Sequence, residues 1–356
     1  MRLERKLHTL LTGIILRHLL RSWRTPLRFG TTIKILKLIG RAFNRRKTIR
    51  DISIPPYLIA SVTTACNLSC KGCYAHAHQR KTAMMSVERW RSLFDECADL
   101  GIAAVFVAGG EPLLRKDILE EIAHHPRTLF PVITNGTLID DDMIEFFKSH
   151  RHIIPIISIE GHESHTDERR GFGVGKQTTD VFKKLKNNGI ITCVSLTVTR
   201  ENIHTVMAAD YMNNLARQGI SVAFLVEYVP IAPNTDHLIL TDDEKLFMNT
   251  QAAVLTKRTA VIAIPFPGDE AEFDGCLASG RSFLHIAPDG SAEPCPFAPF
   301  SDMSLTAHTL KEILASPMLA QIREKHALLK ETQGGCALWA NRDELKTMLT
   351  DKGATE

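Results

Sequence analysis

The sequence predicts an α/β fold with parallel strands, preceded by a basic helical arm and followed by a C-terminal hairpin. Three observations predict it. Strand-like and helix-like segments alternate from Ile54 to Pro230. The strand-like runs end in short punctuated motifs, the pattern of parallel strands joined by crossover helices in an open sheet or a barrel. And the charge changes sign along the chain: residues 1–50 hold fourteen Lys/Arg and one acid, Glu4, whereas the remaining 306 residues hold 29 basic and 39 acidic residues. With 356 residues and 44% hydrophobic content the chain can bury a sizeable core.

The arm, residues 1–50, interleaves large apolar residues with charge. Leu3, Leu7, Leu10, Leu11 and Ile14 recur at helical spacing, as do Ile35, Leu36, Ile39 and Phe43, with Lys34, Lys37, Arg41 and Arg45 on the opposite face. Pro26 and Gly30 are expected to separate two helices, the first irregular between Leu16 and Trp23. No apolar run reaches the ~20 residues of a spanning helix, and Arg17 and His18 interrupt what a signal peptide would keep apolar. The physical reading is an interfacial anchor on an anionic membrane, where each basic side chain adds about 1 kcal/mol. A docked hairpin with solvated charges is the alternative, and RNA binding a minor third.

The body is expected over residues 51–235. "YLIASVTTA" reads as a strand and "SVERWRSLFDECADLG" as a helix closed by Gly101. "IAAVFVAGGEPLL" is a strand ending in glycines, "KDILEEIAHH" a helix, "LFPVITNGTLI" a strand and turn, and "DDMIEFFKSH" a helix. "HIIPIISIEG", "IITCVSLTVT" and "SVAFLVEYVP" are strands, with "QTTDVFKKLKNNG" and "HTVMAADYMNNLARQG" the helices between them. In such folds ligands bind at the C-terminal strand ends. "AGGEP", "TNGT", "SIEGH" and "TVTREN" all lie at such ends.

So does "TTACNLSCKGCYAHAH", with Cys66, Cys70 and Cys73. A disulfide framework suits short, cysteine-dense chains, and this chain has only eight cysteines. A zinc site is open, since His76 and His78 follow closely. An iron–sulfur cluster is the third reading, because three thiolates hold a cubane and leave one iron open. Cys97, on a helix, and Cys193, in a strand, read as small buried hydrophobes.

Residues 54–230 resemble the core of the radical S-adenosylmethionine (SAM) superfamily. The resemblance rests on Cys66-x3-Cys70-x2-Cys73, on "AGGEP" at Ala108–Pro112, on "TNGT", and on "ISIEGHESHTDERRGFG". It implies a partial (β/α)6 TIM-type barrel, a [4Fe–4S] cluster on Cys66, Cys70 and Cys73, and reductive cleavage of SAM to a radical that abstracts hydrogen. It also implies SAM contacts from Gly109, Gly110, Glu111, Thr134, Asn135, Ser158, Glu160, Arg170, Thr197 and Thr199. Gly109 and Gly110 would let backbone approach the methionyl end, Glu111 would pair with its ammonium, and Arg170 would reach its carboxylate. Two positions depart from the pattern: Gly72 stands where a bulky residue packs near adenine, and Glu160 where Asp is commoner.

Residues 236–356 are expected to hold a helical linker and an extension. "CLASGRSFLHIAPDGSAEPC", Cys276 to Cys295, reads as a hairpin turning at "PDG". It is similar to the start of a SPASM or Twitch extension, which implies one auxiliary iron–sulfur cluster on Cys276, Cys295 and Cys336. The resemblance further implies an electron donor such as flavodoxin or ferredoxin. Two substrate classes follow. The arm favours a lipid-type substrate on the cytoplasmic face of a membrane, while the body motifs favour a peptide or protein. Nucleic acid is not expected among the partners. A non-catalytic iron–sulfur or zinc protein would not need "GGEP" or "SIEG".

Overall fold

The structure, a computed structural model, describes residues 13, 26–49, 51–78, 83–266, 275–325 and 336–350. The apolar stripe expected over Leu3–Ile14 and the irregular stretch Leu16–Trp23 lie outside the described residues. The chain divides into two compact units. The first holds Met1–Lys37, Asn67–Cys73 and Pro131–Asp269; the second holds Leu38–Cys66, Tyr74–Phe130 and Glu270–Glu356.

Helix α1, Pro26–Lys47, is continuous through Gly30, where the sequence predicts a separation. One glycine inside a helix costs about 1 kcal/mol. The buried stripe of Ile35, Leu38, Ala42 and Phe43 outweighs it, since burying one large apolar side chain contributes about 1.5–3 kcal/mol. Within the first unit Arg28 donates to the Ile190 carbonyl at 3.4 Å. Within the second, Arg45 and Arg46 donate to the carbonyls of Asp99 and Gly101 at 2.7 and 2.8 Å. Much of the apolar face of α1 is therefore already packed, and three of its arginines bind protein carbonyls. Lys37 and Arg41 stay exposed, as the spacing predicts. No helix among the described residues is long and apolar enough to cross a membrane.

In chain order there follow β1 (Tyr57–Ser61), α2 (Tyr74–Ala77), α3 (Val87–Leu100), β2 (Ala104–Ala108), α4 (Lys116–Ala123), β3 (Phe130–Thr134) and α5 (Asp141–Ser149). Next come β4 (Ile153–Ile159), α6 (Glu163–Arg170), α7 (Val174–Asn187), β5 (Thr192–Val198), α8 (Ile203–Val206), α9 (Ala209–Arg217) and β6 (Ile220–Glu227). The last described elements are α10 (Asp242–Arg258), β7 (Ile262–Phe266), β8 (Phe283–Ile286), β9 (Ala292–Glu293), α11 (Leu310–Leu314), α12 (Pro317–Glu324), α13 (Ala337–Ala340) and α14 (Arg342–Thr350). The caps follow their residues. Ser86 accepts from Arg89 N at the start of α3, and Gly101 closes that helix at φ 78°, a left-handed conformation that glycine adopts without strain. The segment read as one helix over 204–219 breaks at Met207–Ala208 into α8 and α9.

In the first unit β4, β5, β6 and β7 run parallel, with Ile156 opposite Cys193, Thr192 opposite Ile220 and Val222 opposite Ile262. All seven residues of β4 are buried, as expected of a parallel strand covered on both faces. β7 is not anticipated by the sequence: "IAIPF" is short and carries a proline, a signal that demotes a strand. In the second unit β1 lies between β2 and β8, parallel to both, and β9 pairs antiparallel with β8. The hairpin is as expected, with Gly290 at φ 88° donating to the Ala287 carbonyl at 2.9 Å. Its parallel attachment to β1 was not. β7 and β9 are edge strands, so the strands do not close into a full barrel.

Candidate functional site

The first unit gathers its polar groups on Glu160, just past the end of β4. Glu160 is 2% exposed. Its Oε1 accepts from Arg169 Nη1 at 2.7 Å and from Arg170 Nη2 and Nε at 2.6 and 2.9 Å. Its Oε2 is buried with no hydrogen-bond partner among the described residues. Arg169 Nη1 also donates to Thr197 Oγ1 at 2.8 Å. Asn202 Nδ2 donates to the carbonyls of Glu160 and Thr197, and its Oδ1 accepts from Thr199 N. One asparagine therefore ties the ends of β4 and β5 together. Arg170, the residue expected to reach the SAM carboxylate, is held here on Glu160.

The loop after β1 enters this unit at Asn67. Asn67 exchanges hydrogen bonds with Asn135 and Thr137 of the turn after β3, at 2.9 and 2.8 Å, and Thr134 Oγ1 accepts from Gly136 N. Lys71 N donates to the Arg169 carbonyl, and Arg169 Nε donates back to the Lys71 carbonyl. Cys70 and Cys73 flank that clamp and are half-buried. Ser158 is buried on β4, opposite Ser195 of β5.

Gly72 explains itself. Its φ is 65°, and a Cβ there would lie 2.4 Å from the Tyr228 hydroxyl and 3.1–3.2 Å from two ring carbons. The Tyr228 ring, just past β6, fills the space that a side chain at position 72 would take. The Tyr228 hydroxyl is buried and makes no hydrogen bond among the described residues.

In the second unit the segment that ends at Cys66 is strapped to the turn after β2. Gly110 N donates to the Thr63 carbonyl and Glu111 N to the Ala65 carbonyl, both at 2.8 Å. A Cβ on Gly109 would lie 2.4 Å from the Thr63 oxygen, and one on Gly110 2.1 Å from the Ala65 oxygen. These two glycines are thus required by the chain's own close approach. Glu111 is 1% exposed and caps the following turn by accepting from Leu113 N at 3.0 Å.

The same unit holds a relay that no motif announces. Ser61 Oγ and His285 Nε2 are 2.8 Å apart, and His285 Nδ1 lies 2.8 Å from Glu293 Oε2. All three are buried. They link β1, β8 and β9, two residues before Cys295. Cys276, Cys295 and Cys336 are buried as well. Burial pushes the Cys295 thiol up, and its hydrogen bond to Cys336 and the charges of Cys336 and Cys276 push the same way. Cys336, 41 positions after Cys295, therefore lies within hydrogen-bond reach of it, as the hairpin reading requires. Among the described residues no three His, Cys, Asp or Glu side chains already surround a common centre. His78 packs its ring on Trp339 at 5.5 Å. Cys97 and Cys193 are buried, as expected; burial raises the Cys97 thiol and pushes that of Cys193 up to about 12.

Sequence reasoning missed Arg169, Tyr228, Asn202 and His285. Arg169 stands beside Arg170 in "ERRG", so a doubled basic residue was visible; the other three carry no local signal.

The fold and these strand-end groups define a class. Residues 60–211 match the Radical SAM superfamily. These residues form a radical SAM domain, of a family that uses a [4Fe–4S] cluster and SAM. It is 24% identical over 310 residues to the antilisterial bacteriocin subtilosin biosynthesis protein AlbA of Bacillus subtilis, covering 83% of this chain and 68% of that one. It is 25% identical over 256 residues to the PqqA peptide cyclase of Gluconobacter oxydans, covering 68% and 70%. It is 24% identical over 314 residues to the AdoMet-dependent heme synthase of Methanosarcina barkeri, covering 80% and 88%. Its fold resembles that of Streptococcus suis SuiB, with a TM-score of 0.62, 16% identity, and 88% and 74% of the two chains covered.

Proposed function

We propose that the chain is a maturase that abstracts hydrogen from a peptide or protein substrate. Its relatives AlbA and the PqqA peptide cyclase are named for bacteriocin biosynthesis and peptide cyclisation, and they carry the substrate class. The lipid reading has less support, because Ile35, Leu38, Ala42 and Phe43 of α1 are buried in the protein and not offered to a membrane.

The residues present fit the family's cofactors. Cys66, Cys70 and Cys73 would hold the cluster and leave one iron for SAM. The observation that carries the SAM site is the pair of buried, unpartnered polar atoms, Glu160 Oε2 and Tyr228 Oη. A buried polar atom without a partner costs about 1–3 kcal/mol, so a ligand that satisfies both is favoured. Glu160 Oε2 would accept from a ribose hydroxyl, with Arg169 and Arg170 fixing the carboxylate from its other oxygen. Thr134, Asn135, Ser158, Thr197 and Thr199 would line the same rim, and Glu111 would face the ammonium. When bound, the two cofactors supply a primary carbon radical; the protein's own part is to orient SAM and exclude water. Cys276, Cys295 and Cys336 would hold one auxiliary cluster, and an electron donor such as flavodoxin or ferredoxin would reduce the first.

A second reading is a tetrapyrrole substrate. It is favoured by the 88% coverage of the heme synthase, against 65–70% for AlbA, the PqqA peptide cyclase of Gluconobacter oxydans and the sporulation killing factor maturation protein SkfB. One experiment separates the readings. The reconstituted, reduced protein is given SAM with side-chain-deuterated peptides, with vesicles of deuterated anionic phospholipid, or with deuterated iron coproporphyrin. Deuterium in 5′-deoxyadenosine from the peptide arm alone supports the proposal. Deuterium from the vesicles or the porphyrin alone rejects it in favour of that substrate.

A further inference from the structure

We propose that Arg169 is the positioning residue of the three-cysteine loop and the fixed positive charge beside its thiolates. The proposal rests on the radical SAM reading. Lys71 lies between Cys70 and Cys73, and Arg169 grips it twice: the Arg169 carbonyl accepts from Lys71 N at 2.9 Å, and Arg169 Nε donates to the Lys71 carbonyl at 3.1 Å. The same guanidinium binds Glu160 and Thr197 through Nη1. Its carbon lies 6.0 Å from the centre of the Tyr228 ring, which packs on Gly72. Residues 71 and 72 of the loop are thus held from the ends of β4, β5 and β6 through one side chain and its neighbour. The arginine fork suits this task, because its donors are fixed relative to one another.

The charge follows from counting. Two guanidiniums, Arg169 and Arg170, share one carboxylate oxygen of Glu160. Among these three groups one positive charge is uncompensated. The Arg169 guanidinium binds the Lys71 carbonyl, one residue after Cys70 and two before Cys73, so its charge stands beside both thiol positions. One-electron reduction makes a cluster on this loop more negative by one unit, and net charge and hydrogen bonding set the potential of such clusters. A fixed cation here makes the reduced form easier to reach. If Arg169 only completed a structural ion pair, Arg170 would duplicate it, since both bind the same oxygen.

The test compares anaerobically reconstituted wild type, Arg169→Gln and Arg169→Lys by redox titration, following the paramagnetic cluster signal that responds to SAM. Iron per chain after gel filtration is measured in parallel. We expect Arg169→Gln to shift the midpoint to more negative potential and to lose iron from the SAM-responsive cluster. Arg169→Lys should keep a midpoint near that of wild type, because the charge remains, yet lose iron as the glutamine variant does, because the fork is gone. A glutamine variant with the wild-type midpoint overturns the proposal. So does a lysine variant whose midpoint falls as far as that of the glutamine variant. Wild-type protein with no SAM-responsive signal removes the radical SAM reading itself, and this proposal with it.

Discussion

Cys70 and Cys73 lie half-exposed on a loop gripped by an arginine, whereas Cys276, Cys295 and Cys336 are buried and hold one another. The first region manages charge with charge. A carboxylate is shared by two guanidiniums, an asparagine spans two strand ends, and two buried polar atoms have no hydrogen-bond partner among the described residues. The second manages it by desolvation, which keeps a free thiol protonated. Its order comes from strand pairing and from the Ser61–His285–Glu293 relay. The contrast fits the proposed division of labour, in which the accessible thiols would hold the cluster that exchanges SAM and the buried ones a shielded cluster.

Removing thiols should break the comparison most visibly. Replacing Cys66, Cys70 or Cys73 by Ala should abolish reductive SAM cleavage, measured as 5′-deoxyadenosine; retention of it in any one variant would contradict the assignment of the accessible region. The triple variant should still keep about four of the wild type's roughly eight irons, if the buried thiols hold a second cubane. A triple variant with no iron would show that the buried thiols are only a packed cap.

Glu160→Gln is the next largest effect. It leaves two partly buried guanidiniums without their shared carboxylate, and breaking such a buried pair costs about 3–5 kcal/mol. Denaturant unfolding should show that loss. Glu145→Gln is the control, because it and its partner Lys148 are both exposed and exposed pairs contribute about 0–1 kcal/mol. In the second region His285→Phe should cost about 1–3 kcal/mol, since Ser61 and Glu293 each lose a buried partner. If Glu160→Gln proved no worse than Glu145→Gln, the first region's reliance on charge would be refuted.

What could be read from the sequence differs between the regions in the same way. Cys66, Cys70, Cys73 and the strand-end motifs were readable because spacing and punctuation are local. The hairpin was readable from "PDG" and its flanking alternation. Tyr228 was not, because it meets Gly72 across 156 positions of sequence; Gly72 alone looked like a defect in the adenine-facing pattern. His285 was hidden likewise, for its meaning depends on β8 pairing with β1, a register that no local pattern encodes. β7 was masked by its proline, and the continuity of α1 by Gly30, where burial overrides a weak breaker.

The smallest expected effect concerns a thiol that serves neither region. Cys193 is buried inside β5, opposite Ile156 of β4, and burial pushes its pKa from 9.0 up to about 12. The folded state therefore favours the protonated thiol. The sign follows from which state holds the proton: below about pH 9 both states carry it, so stability is unaffected there. Between pH 9 and 12 the unfolded chain has lost the proton while the folded chain keeps it, so stability falls as pH rises, by about 1.4 kcal/mol per pH unit. Cys193→Ala removes this dependence at the cost of a small cavity. In urea unfolding of the apoprotein the variant should start less stable at pH 8 and lose stability less steeply than the parent between pH 9 and 11. All other groups titrate alike in the two proteins, so the difference in slope isolates this thiol. Equal slopes would mean that Cys193 reaches solvent as the accessible cysteines do, and that β5 is not sealed against β4 as the structure shows.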